Sequence, residues 1–171
     1  NDLKLVDKII LPGVGAFGKC MEILKKHDLF DELNYQVLEN KKKILGICLG
    51  MQIMATKSLE FGETHGLNWI NGTVKQMNVD YDKFKLPHVG WNSLKFKKNS
   101  PLFNNLEINA DYYFVHSYSF VNSDNKDILA TFSYSNEYTA SVNKENIFGV
   151  QFHPEKSQEN GLKILENFSK L

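Results

Sequence analysis

The stretch Ile44-Leu45-Gly46-Ile47-Cys48-Leu49-Gly50-Met51-Gln52 runs from a short, wholly apolar segment into a helical pattern, with a thiol at the junction. An apolar run this short suits a strand buried on both faces, and such strands belong to parallel sheets covered by helices. Beyond the junction the helical pattern takes Met51, Ile53, Met54 and Leu59 as its apolar residues. Glycine stands two residues to either side of Cys48. A nucleophile at such an apex sits in a tight, strained turn, and the close packing of strand on helix leaves no room for side chains at the flanking positions. The following helix N-terminus is expected to lower the thiol's pKa and to offer backbone N–H groups to a developing oxyanion. Cys20 has no comparable setting and reads as a structural cysteine.

Upstream, Lys8-Ile9-Ile10-Leu11 is a second buried strand, closed by Pro12-Gly13. Helical patterns fill the gap between the two strands. Met21, Leu24 and Lys25 lie between Gly18 and His27, and Leu29, Leu33, Val37 and Leu38 share a face of a second helix. Strand, helix, strand, helix argues for a parallel sheet with helices on both faces. Downstream the chain changes character. Thr73-Val74, Trp91 to Phe96, Tyr112 to Val115, Leu129 to Tyr134, Tyr138 to Val142 and Ile147 to Phe152 are short, aromatic and β-branched. Ser135-Asn136 reads as a hairpin turn between two of them. They predict an antiparallel extension at one side of the sheet. A last helix runs from Gly161 to Leu171, with Leu162, Leu165 and Phe168 at helical spacing. The expected fold is α/β, a mostly parallel central sheet flanked by helices with an antiparallel extension. Residues 1–171 carry no repeat or linker and read as a single domain.

Composition narrows the function. Twenty basic residues balance twenty acidic ones, so neither nucleic acid nor an anionic membrane is an expected partner. The run Lys41-Lys42-Lys43 reads as the solvated end of a helix. No apolar run approaches the ~18 residues of a membrane span. Two cysteines outside any C-x-x-C pair favour a reducing, cytoplasmic setting and leave a thiol free for chemistry.

Gln151-Phe152-His153-Pro154-Glu155 follows the segment at Ile147 to Val150. Side chains two apart on extended backbone point the same way, and Pro154 keeps His153 out of the helical region. Glu155 can therefore lie beside His153 and fix the imidazole's tautomer and orientation. The imidazole can then draw the proton from a thiol that the fold brings near, and a wide separation in sequence is ordinary for such triads.

The residues Gly46-Ile-Cys-Leu-Gly-Met-Gln52 and Phe152-His-Pro-Glu-Lys-Ser157 resemble the two active-site signatures of the class I glutamine amidotransferases. Leu11-Pro-Gly-Val-Gly-Ala-Phe-Gly18, Pro87-His-Val-Gly-Trp-Asn92 and Tyr113-Phe-Val-His-Ser-Tyr118 bring the likeness closest to the glutaminase subunits of imidazole glycerol phosphate synthase, over about Ile9 to Leu171. The resemblance implies a flavodoxin-like fold and a Cys48, His153, Glu155 triad that hydrolyses glutamine. It implies an oxyanion segment at Gly13, Val14 and Gly15, in which the Val14 N–H turns toward the substrate oxygen, with the N–H of Leu49 as second donor. Gln52 and Glu60 match positions that hold the α-carboxylate and α-amino end of glutamine, and Ser117 and Tyr118 match positions that bind it through backbone. Trp91, Asn92, Tyr113 and Lys156 match positions that face a barrel-shaped synthase subunit, in a heterodimer through which ammonia travels to build an imidazole ring for histidine. Members of the family carry a further strand and helix ahead of Leu3, so the resemblance also implies a strand–helix unit not contained in these residues.

No zinc-type spacing is present, and the triad absorbs the Cys–His–carboxylate set, so neither metal nor organic cofactor is expected. Two other readings use the same triad. One is a paralogue that feeds ammonia to a sugar-modifying synthase. The other is a stand-alone thiol hydrolase of γ-glutamyl bonds, which would have no use for partner-facing motifs.

Overall fold

A computed structural model describes residues 2–107 and 109–171. Among the described residues there are twelve strands: β1 (Lys8–Leu11), β2 (Lys43–Ile47), β3 (Ala55–Ser58), β4 (Thr64–His65), β5 (Ile70–Gln76), β6 (His88–Ser93), β7 (Lys95–Phe96), β8 (Asp111–His116), β9 (Tyr118–Asn122), β10 (Ile128–Tyr134), β11 (Asn136–Lys144) and β12 (Ile147–Val150). The α-helices are α1 (Phe17–Lys26), α2 (Leu29–Asn34), α3 (Leu49–Gln52) and α4 (Gln158–Lys170).

A six-stranded sheet has the order β1-β2-β12-β11-β10-β7. Its first three strands are parallel and the remaining pairings are antiparallel. The parallel core and the antiparallel extension expected from the sequence are both there, three strands each. The segment from Ile147, expected in the extension, is instead β12, the parallel partner of β2, and Thr73-Val74 and Tyr112 to Val115 fall in β5 and β8, outside this sheet. Ser135 turns that hairpin with φ 63°. A four-stranded sheet, β4-β3-β5-β9, and a pair, β6-β8, complete the strands.

The six-stranded sheet is covered on both faces. Ile44 and Ile147 belong to one apolar cluster with Phe17, Met21, Leu33, Val37 and Trp69. Their neighbours Leu45 and Phe148 belong to another with Phe114, Phe132, Phe152, Ile164 and Phe168. The two-residue alternation of a strand sends adjacent side chains to opposite faces, which is why β2 is apolar from Ile44 to Ile47.

Several local expectations are corrected. The helix after Cys48 is one turn long, α3, and the chain re-enters a strand at Ala55, so Leu59 lies beyond β3 and is exposed. Met51, Ile53 and Met54 are all buried but do not form one helical stripe, and Ala55–Ser58 carries no two-residue alternation to mark the strand. The second helix continues from α2 into a wider, π-type turn over Tyr35–Glu39, which buries Val37 and leaves Leu38 exposed. In α4 the buried positions are Gly161, Ile164, Asn167 and Phe168, with Leu162 facing solvent. The lysine run begins at a helix end, with exposed Lys41 directly after the cap at Asn40, but it continues into the sheet: Lys43 opens β2 and its Nζ donates to the Leu171 carbonyl, while Lys42 Nζ donates to the carbonyl of Leu3.

Candidate active site

Three neighbouring parallel strands end at the same level. Leu11 pairs with Gly46 across β1 and β2, and Ile47 pairs with Val150 across β2 and β12. The segments that leave these ends, Pro12–Gly15, Cys48–Gly50 and Gln151–Glu155, therefore emerge side by side in the crevice outside the carboxyl ends of the strands, where open α/β sheets place their ligands. The Cys48 N–H donates to the Val150 carbonyl at 2.8 Å, which ties the nucleophile's turn to the strand that delivers the histidine. Register thus closes the 105-residue gap between Cys48 and His153.

Cys48 is the apex of a strained turn, with φ 53° and ψ −109°. That backbone conformation is costly for a residue with a Cβ and persists because both sides are packed. A Cβ on Gly46 would stand 2.6 Å from the Gly50 carbonyl, and one on Gly50 would stand 1.7 Å from the Leu11 oxygen. The two glycines are thus required by close approach, as their spacing predicts.

The expected low thiol pKa is not what the structure gives. Burial pushes the Cys48 thiol up to about 11, against the opposing pull of the Leu49 N–H, and the Glu155 charge pushes the same way as burial. A single-turn helix carries too short a stack of peptide dipoles to offset the loss of water. The resting group is a thiol, so the neighbouring base has to take the proton when the reaction starts.

His153 is 3 % exposed, and its Nδ1 lies 2.7 Å from Glu155 Oε1. A carboxylate can only accept there, so the ring proton sits on Nδ1 and Nε2 is the bare nitrogen. Nε2 is buried and has no hydrogen-bond partner among the described residues. The backbone of His153 is clamped as well. Its N–H donates to the Tyr113 carbonyl at 2.8 Å, and Ser157 Oγ donates to its carbonyl at 2.6 Å while accepting from the Tyr113 N–H at 2.9 Å. Ser157 is fully buried and links β8 to the histidine segment.

A cavity of about 370 Å³ opens on this constellation and is lined by Val14, Gly15, Cys48, Leu49, Gln52, Glu60, Ser117, Tyr118 and His153, together with Phe61, Pro87, Val115 and His116. Gly13 stands behind it: a Cβ there would lie 3.1 Å from the Leu49 Cβ, so the turn rests directly on the elbow. Gly15 adopts φ 104°, a conformation that favours glycine. Gln52, expected as a pocket side chain, is only 6 % exposed. Its Nε2 donates to the Tyr118 carbonyl at 2.9 Å and to Gln151 Oε1 at 3.0 Å. With both amide hydrogens spent, it keeps Oε1, an acceptor. Glu60 Oε2 accepts from the Phe17 N–H at 2.7 Å, at the start of α1. Both side chains therefore present acceptors, which suit an ammonium group and not a carboxylate. Gln151 is an active-site residue that the sequence reading passed over, although it precedes His153 by the same two-residue step that picked out Glu155.

Trp91 and Tyr113 pair across β6 and β8, with rings 5.9 Å apart, and Lys156 Nζ stands 5.8 Å from the Tyr113 ring centre. Trp91 is 45 % exposed. The three form a surface patch that adjoins the histidine clamp. Asn92 differs from them, because its Nδ2 donates to the Ser133 carbonyl at 2.8 Å and stitches β6 to β10.

The sequence profile described as glutamine amidotransferase class-I matches residues 2–171. The chain belongs to that family. Imidazole glycerol phosphate synthase subunit HisH of Pelagibacter ubique is 46 % identical to it over 172 residues, covering 100 % of this chain and 83 % of the relative. The subunit HisH 2 of Methanococcus maripaludis is 48 % identical, covering 99 % and 85 %. That of Vibrio vulnificus is 50 % identical, covering 98 % and 78 %. Among solved structures, PurLQS from Thermotoga maritima superposes with a TM-score of 0.70 at 21 % identity, covering 96 % of this chain and 79 % of that one, which is a likeness of fold. The crevice itself is built by the ends of β1, β2 and β12. Among the described residues no group of three or more His, Cys, Asp or Glu is placed to hold a metal ion, and no helix is long and apolar enough to cross a membrane.

Proposed function

We propose that this chain is the glutaminase subunit of an imidazole glycerol phosphate synthase, hydrolysing glutamine to glutamate and passing the ammonia to a barrel-shaped synthase partner in histidine biosynthesis. The observation that carries the proposal is the convergence of Cys48, the His153–Glu155 pair and the Val14–Gly15 turn on one cavity. The relatives named HisH at 45–50 % identity supply the acceptor pathway. Free thiols at Cys20 and Cys48 suit a cytoplasmic setting.

Glutamine enters with its ammonium end at Gln52 Oε1 and Glu60, its chain along Ser117 and Tyr118, and its amide carbon beside Cys48. His153 Nε2 takes the thiol proton, and the sulfur adds to the amide carbon. The oxyanion is held by the N–H groups of Val14 and Leu49. His153 returns its proton to the leaving nitrogen, the C–N bond breaks and ammonia departs. Water, deprotonated by His153, attacks the thioester and releases glutamate and the Cys48 thiol. Trp91, Tyr113 and Lys156 form the partner-facing patch, and the Tyr113–Ser157–His153 hydrogen bonds put that patch one residue from the base. Residues 1–171 act as one unit in this scheme.

An unpartnered glutaminase would waste glutamine, and the Gly13–Val14 peptide, free to rotate between two glycines, is the switch that keeps it quiet. One misdirected oxyanion donor costs roughly 10²–10³ in rate. Glutamate release should be measured for the protein alone, with the synthase, and with the synthase and its nucleotide-like substrate. The expected result is low activity alone and stimulation by about that factor, lost in Gly15→Val while glutamine still binds. Full activity without any partner would overturn the switch and favour a stand-alone hydrolase. Stimulation by a sugar-modifying synthase instead would reassign the acceptor.

A further inference from the structure

We propose that Gln151 is a positioning residue: it orients the Cys48 thiol and ties it, through Gln52, to the end of the cavity that receives the amino group of glutamine. The proposal rests on the glutaminase reading above and deepens it. Gln151 is fully buried. Its Nε2 lies 3.7 Å from Cys48 Sγ, and its Oε1 accepts from Gln52 Nε2 at 3.0 Å. Both ends of one buried amide are therefore spent on two residues that line the cavity.

The directions of these bonds fix the thiol. An amide N–H can only donate, so the sulfur is the acceptor from Gln151 and its own S–H has to point elsewhere. His153 lines the same cavity, and its Nε2 is a bare acceptor with no hydrogen-bond partner among the described residues. The S–H is thereby left free to turn toward the base when the reaction starts. Once the proton has moved, the Gln151 N–H faces a thiolate and the bond becomes charge-assisted, which favours the charged form. The other end of the chain has a matching sense. An ammonium group on Gln52 Oε1 withdraws density from that amide, strengthens its N–H bond to Gln151 Oε1 and, in turn, the Gln151 N–H bond to sulfur. Occupancy by a correctly oriented amino acid thus favours ionisation of the nucleophile. A residue that merely filled space here would need no donor, and methionine would serve as well.

The test uses the glutaminase–synthase complex. Gln151→Met keeps the volume and removes both hydrogen bonds. The expected result is a kcat lowered at least about tenfold, as for a lost bond to a charged group, with the KM for glutamine changed less than about threefold. Alkylation of Cys48 by iodoacetamide should shift to higher pH. Gln52→Met should raise KM, and in the Gln52→Met/Gln151→Met double variant the loss in kcat/KM should fall short of the product of the two single losses. A folded Gln151→Met with the kcat and alkylation profile of the wild type would overturn the proposal, as would fully multiplicative losses in the double variant. If Gln151→Met does not fold, Gln151→Glu decides. Its carboxyl is a donor only while protonated, so its activity should fall as pH rises where the wild type's does not, and a wild-type pH profile would sink the idea. Two controls bear on the underlying reading: no glutamine hydrolysis by the wild-type complex would overturn the glutaminase assignment itself, and hydrolysis surviving in Cys48→Ala would overturn Cys48 as its nucleophile.

Discussion

Replacing Glu155 by glutamine isolates the charge of the triad's third member from its hydrogen bond. The carboxylate sits 2.7 Å from His153 Nδ1, and its side chain is 47 % exposed. A contact pair of charges is worth about 1 kcal/mol in bulk water and about 4 kcal/mol at the effective dielectric near a protein surface. Half-exposure places Glu155 toward the lower part of that interval, at roughly 1.5–2 kcal/mol of support for the imidazolium that forms when Cys48 is deprotonated. The same charge works against thiol ionisation, since it helps to hold Cys48 up, and its removal returns a part of the loss. At 1.36 kcal/mol per factor of ten, the full support of roughly 1.5–2 kcal/mol would lower kcat about 13–30-fold, so the expected decrease for Glu155→Gln, with a part returned, is about 5–20-fold. Glu155→Ala also frees the ring to rotate and should lose more. His153→Ala should lose ~10⁴ or more, because members of a triad act as a unit. Steady-state glutamate release with the synthase present, read from low to high pH, measures all three. A Glu155→Ala enzyme as active as the wild type would show Glu155 to be an ordinary surface carboxylate. A Glu155→Gln enzyme as dead as His153→Ala would show that exposure does not screen this charge.

A glutamine-like affinity label should attach to Cys48 and spare Cys20, and mass spectrometry that finds only Cys20 modified would move the active site. Gly50→Ala places a Cβ 1.7 Å from the backbone oxygen of Leu11, an overpacking that should lower stability by ~3 kcal/mol or more in a urea melt; an unchanged midpoint would refute the packing account of the elbow. His88 and His116 are buried among Phe114, Phe132 and Tyr134, and burial pushes their pKa values down to about 4 and about 3. The folded state thus refuses protons that the unfolded chain takes up near the ordinary value of 6.5. The stability tied to the neutral rings is whole above that pH and is lost as pH falls toward 4 and then 3. Melting temperature should drop over that window, and less steeply in His88→Phe; equal slopes would mean that other groups set the acid limit.

The sequence by itself determined the elbow and the base. Glycines two residues either side of Cys48 have one physical use, a turn packed too closely for a Cβ, and a carboxylate two residues from a histidine on extended chain has an evident partner. Short apolar runs likewise read correctly as parallel core, because burial on two faces leaves a direct mark on residue type, although β12, expected among the antiparallel segments, pairs in parallel with β2, and β5 and β8 lie in other sheets. Three things could be decided only by tertiary structure. The length of α3 could not be read, since Met51, Ile53 and Met54 are buried from all sides and carry no periodicity. The protonation of Cys48 could not be read, since it balances loss of water against one turn of helix, and burial is a property of everything packed around the thiol. The part played by Gln151 could not be read either, because an amide declares nothing until its two ends find Cys48 and Gln52, and that meeting depends on the register of β2 against β12.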